Sequence, residues 1–345
     1  MQYLEEAFVM SLLMDHPFPK SVTGAEKRRR LLEVVSPEDT LGVLIDADPD
    51  SMASALALKR FFWRKARKVA IFRINTIQRA DNLAFIKLLK IDQKHIRYMR
   101  QKDITKWALL DSQPDHHDEF RKKNFDIIID HHPVLPSSRA FFLDIKEDYG
   151  ANSTIMTEYL RAAGIRPSPR LATALFYGIK TDTDNFVREA LLNDINAFQY
   201  LYRFANMNII KKIESSEITK KMLISYQLAM ERLIFVKDTA FIHMGDVETP
   251  DVLVIMADFF MRLAEATWSI VSGVYDNKLI VILRNAGFRG NAGKTAKKLF
   301  SRWHGSGGGH SSAGRTEVSL DKISKEITCR SDLGKFVLAN LKAMK

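Results

Sequence analysis

The sequence predicts an α/β protein with a parallel-sheet N-terminal domain, a smaller α/β C-terminal domain and a cleft between them. Three observations carry this expectation. In the first half, short apolar runs of strand length alternate with helical stretches. Three of those runs stop at an aspartate: Asp46, Asp111 and Asp130. At 345 residues the chain is long for one core, and its texture changes after about residue 228.

Taken in order, residues 1–35 read as an amphipathic helical lead-in, and 36–200 as the parallel-sheet domain. Leu41–Ile45 is a buried strand running into Asp46, and Ser51–Phe62 is the helix that follows. Val69–Phe72 is a strand and Ala80–Leu89 a helix. Trp107–Leu110 runs into Asp111, and Phe125–Ile129 into Asp130. Helices near 152–163 and 170–180 complete this half. The stretch 186–228 is polar and helical, with 201–228 as a linker. Residues 229–345 form the second domain, with strands and one helix before a glycine-rich turn, Gly305–His310.

Composition narrows the chemistry. No apolar run approaches the roughly 20 residues that span a bilayer. Residues 1–14 do not read as a signal peptide, so a cytoplasmic protein without a membrane partner is expected. The single cysteine, Cys329, rules out an intrachain disulfide and a cysteine-rich zinc site. Any metal must be held by Asp, Glu and His, which suits Mn²⁺ or Mg²⁺. The net charge of +11 fits a polyanionic partner or simple solubility. The run Lys27–Arg30 reads as a solvated helix face.

Ligands of open α/β sheets bind beyond the carboxyl ends of the strands. There the sequence places Asp46-Ala47-Asp48-Pro49-Asp50, Asp111 and Asp130-His131-His132. Each aspartate alone could be a helix cap. Together they crowd negative charge at one edge, which cations would relieve. Two ions roughly 3.5–4 Å apart can activate water and stabilise both the attacking and leaving oxygens at phosphorus. Asp182 in Lys180-Thr181-Asp182-Thr183 falls at a turn after a helix and would join them.

The ordered set Asp48-x-Asp50, Asp111, Asp130-His131-His132, Asp182 and Gly307-Gly308-Gly309-His310 resembles the DHH phosphoesterase superfamily over about residues 36–320. The nearest resemblance is to its nanoRNase and phosphoadenosine-phosphate phosphatase branch, with the DHH-associated C-terminal domain. The resemblance implies two divalent ions, Mn²⁺ with Mg²⁺ as alternative. Asp48 would bind the first and Asp50 the second, and Asp111 would bridge them. His131 would ligate the second ion, and Asp182 would close that ion's shell. His132 would act at the scissile phosphate, and Asp130 would orient the histidines. On the C-terminal domain, Arg284 and Asn285 would grip substrate. Gly307, Gly308 and Gly309 would bring backbone N–H groups to a phosphate or carboxylate, with His310 donating to the same group.

That branch usually carries a histidine four residues before the first aspartate of its first motif. Leu44 stands there, and Asp46 is expected to substitute as a ligand, as in RecJ-type exonucleases. A second tripeptide, Asp115-His116-His117, follows Pro114 instead of a strand and reads as an exposed loop outside the site. His16, His95, His243 and His304 read as structural or surface residues. Ser51, Ser54, Asn152, Ser153 and Thr154 read as helix-start residues that could also approach a phosphate. The resemblance implies a metal-dependent phosphodiesterase or exonuclease on short single-stranded oligonucleotides, with phosphatase action on 3′-phosphoadenosine 5′-phosphate as a companion activity. A cyclic dinucleotide phosphodiesterase and a non-catalytic nucleotide- or RNA-binding protein are the rival readings. A homodimer stays open.

Overall fold

The computed structural model describes residues 22–99, 104–187, 191–216, 218–287, 290–327 and 329–343. The expected lead-in therefore lies outside the described residues over positions 1–21, and so does His16. The chain divides into two units, Met1–Glu217 and Ile218–Lys345.

The first unit is built on six parallel strands: β1 (Thr40–Ile45), β2 (Lys68–Arg73), β3 (Lys94–His95), β4 (Lys106–Leu110), β5 (Ile127–Asp130) and β6 (Phe142–Ile145). Their order is β3-β2-β1-β4-β5-β6. The chain winds outward from β1 to β3, then crosses back to β4 and winds the other way. β1 and β4 are neighbours, so the order reverses at that pair and opens the crevice where such sheets bind ligands. β1 is buried along its whole length, which explains an unbroken apolar run where a half-exposed strand would alternate. Its side chains still divide by face. Leu41, Val43 and Ile45 join the core that holds Met52 and Phe61. Leu44 points into the opposite core with Phe72, Leu109 and Ile128.

Eight helices are described in this unit: α1 (Gly24–Glu33), α2 (Pro49–Phe61), α3 (Ala80–Leu88), α4 (Asp118–Arg121), α5 (Asn152–Ala162), α6 (Pro169–Asp182), α7 (Leu192–Tyr202) and α8 (Met207–Glu214). α1 carries the basic run, which is not uniformly a solvated face. Lys27 is buried, with Nζ 3.1 Å from both oxygens of Asp144. The Tyr159 hydroxyl donates to the same carboxylate at 2.6 Å. Arg29 and Arg30 pair with Glu26 along the helix. Asp182 closes α6 as its last residue and lies inside the helix, not beyond it.

The second unit holds a mixed sheet of order β11-β12-β10-β9-β8-β7, from β7 (Ile234–Val236), β8 (Thr239–Asp246), β9 (Trp268–Tyr275), β10 (Lys278–Asn285), β11 (Ser306–Gly309) and β12 (Ala313–Ser319). β8 and β9 run parallel and the other pairs antiparallel. Helices α9 (Lys220–Glu231), α10 (Pro250–Phe260), α11 (Ala292–Leu299), α12 (Leu320–Ile323) and α13 (Leu333–Ala343) belong to it.

The structure differs from expectation in two places here. The stretch 201–228 does not stand apart as a linker: α8 buries Ile210 and Ile213 in the first unit's core, and α9 gives Tyr226 and Ala229 to the second's. The glycines of the expected turn form the edge strand β11, because β12 pairs with them, Gly307 opposite Thr316. A Cβ on Gly307 would sit 2.3 Å from the Ala296 carbonyl oxygen, so glycine is what lets α11 lie on this edge.

Candidate metal centre

Three strand ends and two helix ends deliver the site. Asp48 caps α2: its carboxylate accepts from the Ser51 amide at 2.8 Å, and the Ser51 hydroxyl accepts from the Asp48 amide at 3.0 Å. Asn75 secures the same turn, accepting from the Ala47 amide and donating to the Ala47 carbonyl, each at 2.9 Å. Asp50, inside the first turn of α2, is buried. Its two oxygens accept from the amides of Asn152 (2.6 Å) and Ser153 (2.8 Å) at the start of α5. α6 comes close enough to bring Asp182 in because residue 178 is glycine. A Cβ there would lie 2.5 Å from Ser153 Oγ and 3.0 Å from an Asp50 carboxylate oxygen.

His131 is the hub. Its Nδ1 donates to the Tyr149 carbonyl at 3.0 Å, which turns Nε2 inward. Nε2 is 3.2 Å from Asp111 Oδ1 and 3.0 Å from Asp182 Oδ2. Neither contact has the alignment of a hydrogen bond, and both Nε2 and Asp111 Oδ1 are buried without a partner. Orphaned buried polar atoms of this kind are rare and costly. Ligand atoms of Asp50, His131 and Asp182 lie within 4.8 Å of one another, as do those of Asp111, His131 and His132. Carboxylate and imidazole donors aimed at a common point fit a divalent cation of the Mn²⁺ or Mg²⁺ kind.

The electrostatics agree. Burial pushes the Asp48 carboxyl up to about 6, with Asp182 adding to it, and pushes Asp50 up to about 7 for the same two reasons. Asp111 is raised by burial and then by Asp50 and Asp48. Burial opposes a charge on His131, yet Asp111 and Asp182 beside it hold its pKa well above the ordinary value. Protons thus take up the charge that a cation would neutralise. Asp130 goes the other way. Burial opposes ionisation, but hydrogen bonds from His132 and Gln113 hold its carboxyl below the usual range.

Asp130 positions instead of converging. One oxygen accepts from the His131 amide and from His132 Nδ1, both at 2.8 Å. The other accepts from Gln113 Nε2 at 2.7 Å. His132 is thereby oriented with Nε2 free on a ring about one-third exposed. Asp111 takes a left-handed backbone, φ 58°, which turns its side chain off the end of β4.

The expected ligands are not all equivalent. Among the described residues, neither Asp46 nor Asp48 belongs to a group of converging ligand atoms. Asp46 is exposed and uses its carbonyl to accept from the Ser51 hydroxyl at 2.8 Å. Leu44, where the family histidine is expected, is wholly buried. On the second unit, Arg284 Nε donates to Asp258 at 2.6 Å, and the Asn285 side chain accepts from the Gly287 amide at 2.7 Å. A Cβ on Gly308 would meet nothing within 4 Å, whereas one on Gly309 would lie 2.2 Å from the Ala313 carbonyl oxygen. The His310 side chain is exposed. Ser51 and the Asn152–Thr154 segment do start helices, while Ser54 Oγ, Ser153 Oγ and the Asn152 side-chain amide stay buried without hydrogen-bond partners.

Four residues were not anticipated. Gln113 is fully buried, accepting from the Leu135 amide and the Ser138 hydroxyl while donating to Asp130. Asp194, also buried, accepts from the Gly150 amide and the Thr154 hydroxyl. Tyr149 offers its carbonyl to His131. His116, in the tripeptide expected to lie outside the site, is exposed, but its ring packs edge-on against His132 at 5.3 Å. Sequence proximity to Asp111 and Gly150 could have pointed to Gln113, His116 and Tyr149, but nothing pointed to Asp194, 44 positions beyond Gly150. His243 is structural, held by Ser272 at 2.9 Å.

A model of the DHH family, N-terminal domain, matches residues 41–179. An uncharacterized protein of Methanocaldococcus jannaschii, MJ1633, is 32% identical over 330 residues, covering 94% of this chain and 68% of that protein. Among solved structures, an exopolyphosphatase-related protein from Bacteroides fragilis aligns with a TM-score of 0.69 at 16% identity, over 93% of this chain and 100% of its own. RecJ from Thermus thermophilus, solved with Mn²⁺, aligns with a TM-score of 0.54 at 13% identity, over 96% of this chain and 56% of RecJ. At such identities these two likenesses speak for the fold.

Proposed function

Since the chain belongs to the DHH family, we propose that it is a metal-dependent phosphodiesterase that hydrolyses short single-stranded oligonucleotides. One observation carries the reading: His131 Nε2 and Asp111 Oδ1, both buried and without hydrogen-bond partners, converge with Asp50 and Asp182 beyond the switch point of the sheet. In this reading Asp50, Asp111, His131 and Asp182 hold divalent cations, with Asp48 and Asp46 at the margin of the cluster. Bound there, the cations would supply Lewis-acid polarisation of a phosphate and acidify a water.

The remaining work falls to the chain's own groups. The Tyr149 carbonyl accepts from His131 Nδ1 and so fixes the ring with Nε2 toward the cluster. Asp130 draws the Nδ1 proton of His132 toward itself and leaves Nε2 on the exposed side, within reach of a phosphate oxygen or a leaving group. An imidazole oriented by a buried carboxylate can donate or accept a proton there. In the second unit we assign substrate contacts to Arg284, Asn285, Gly307–Gly309 and His310, with Arg284 exchanging its Asp258 partner for a phosphate.

The test is cleavage of a labelled five-nucleotide RNA with Mn²⁺, beside the His131→Ala and Asp111→Asn variants. Release of mononucleotides by the parent, lost with EDTA and at least 100-fold slower in both variants, supports the reading. The same metal requirement on 3′-phosphoadenosine 5′-phosphate or a cyclic dinucleotide alone would replace the oligonucleotide as substrate. No metal-dependent hydrolysis of any of them would overturn it in favour of a protein that binds nucleotides without cutting.

A further inference from the structure

A second concentration of ligand-binding chemistry lies in the first unit, away from the carboxylates. Arg161 near the end of α5, Arg166 in the turn after it, and Tyr200, Arg203 and Phe204 at the end of α7 line a surface pocket of about 580 Å³. Gly164, with φ +65°, makes the turn that lets the chain double back there. The Arg161 guanidinium lies 5.0 Å over the Tyr200 ring, and Arg166 lies 4.7 Å over Phe204. The two rings meet edge-to-face at 5.3 Å.

No carboxylate lines this pocket. Arg161, Arg166 and Arg203 appear in no ion pair among the described residues. Exposed Arg28, Arg60 and Arg170 on other helices also appear in no ion pair among the described residues, so what sets this place apart is the gathering of three guanidiniums around one concavity. Three guanidiniums around one acid-free concavity repel one another unless an anion enters. Guanidinium forks match phosphate oxygens, and aromatic faces stack on nucleobases. A nucleotide combines both.

We propose that this pocket binds one nucleotide, its phosphate on Arg161, Arg166 and Arg203 and its base against Tyr200 or Phe204. The ligand is either a free mononucleotide or one unit of a single strand. It is a site separate from the carboxylates. α5 starts on Asp50 and reaches Arg161 nine residues later, roughly 14 Å along the helix axis. A solvated basic patch, with arginine stems merely resting on rings, would take up no nucleotide selectively.

The test measures binding to the full chain in EDTA, so it does not depend on hydrolysis. AMP, pentaadenylate and inorganic phosphate are titrated against the parent, against R166Q/R203Q, against Y200A and against H131A. All substituted arginines are exposed, and matching thermal transitions check the fold. We expect AMP or pentaadenylate to bind at least 10-fold more weakly to R166Q/R203Q and to Y200A, and equally well to H131A. Binding of AMP marks a free nucleotide as the ligand, and binding of pentaadenylate alone marks one unit of a strand. Phosphate binding as tightly as either, no binding of either, or binding unaffected by both pocket variants would overturn the proposal.

Discussion

At the scale of single residues, the centre is a contest between burial and charge, and pH reads it out. Asp48 and Asp50 have folded-state pKa values of about 6 and about 7, above their ordinary carboxylate values. A group raised in the folded state stabilises fully below its unfolded pKa and loses that contribution as pH rises through the folded value. The metal-free protein should therefore lose thermal stability between about pH 4 and 7, as these carboxyls ionise. Mn²⁺ should raise the melting temperature more at pH 8 than at pH 5, because at pH 5 it must displace protons. Calorimetry with and without Mn²⁺ checks this, and an equal gain at both values would remove these groups from the metal shell. Gln113 gives a second prediction. Gln113→Ala leaves a buried Asp130 oxygen without its donor and should cost about 1–3 kcal/mol by urea titration. If Asp130 sets the His132 proton, the variant should also shift the pH profile of cleavage, which a purely structural role would not do. Asp111 was legible in the sequence because it stands where an apolar run stops, whereas Asp50 and Asp182, inside helices, were expected only from the ordered family motif. Gln113, Asp194 and Tyr149 were not, since their partners are distant in the chain or are backbone atoms that no residue pattern announces.

At the scale of elements, the close approach of α2, α5 and α6 decides whether the acids meet. Gly178 is the contact point, and Gly178→Ala would drive a methyl group into Ser153 Oγ and Asp50. The expected cost is about 1–3 kcal/mol of stability, with weaker Mn²⁺ binding by titration. Unchanged affinity and stability would mean that the helices part freely at this point. β1, β4, β5 and the helices between them were readable from apolar runs and caps. β3 escaped because two residues make no pattern. β6 escaped because Asp144 interrupts it, and that aspartate is excused by Lys27, more than a hundred positions earlier in the chain. β11 was read as a turn because three glycines carry no β-propensity, and β12 supplies the pairing that makes it a strand.

At the scale of the whole molecule, each unit owns a core: the first is built around β1 and α2, the second around β8 to β10. A fragment of residues 22–217 should therefore unfold cooperatively in urea and gain stability from Mn²⁺, while lacking the contacts assigned to Arg284 and His310. A fragment that is unfolded, or folded but indifferent to Mn²⁺, would show that the first unit does not hold the ion by itself. The winding order of its sheet has a consequence in time. Asp50 is synthesised early, yet its companions Asp111 and His131 follow directly on β4 and β5, and Asp182 is the last residue of α6. At ordinary rates of synthesis the ribosome needs on the order of ten seconds to travel from the first to the last. Throughout that interval the nascent chain carries only part of the set. On the proposed ligand set, loading would be deferred until translation has passed α6, and the choice of ion would fall to the finished sheet, not to whatever metal the emerging chain meets first.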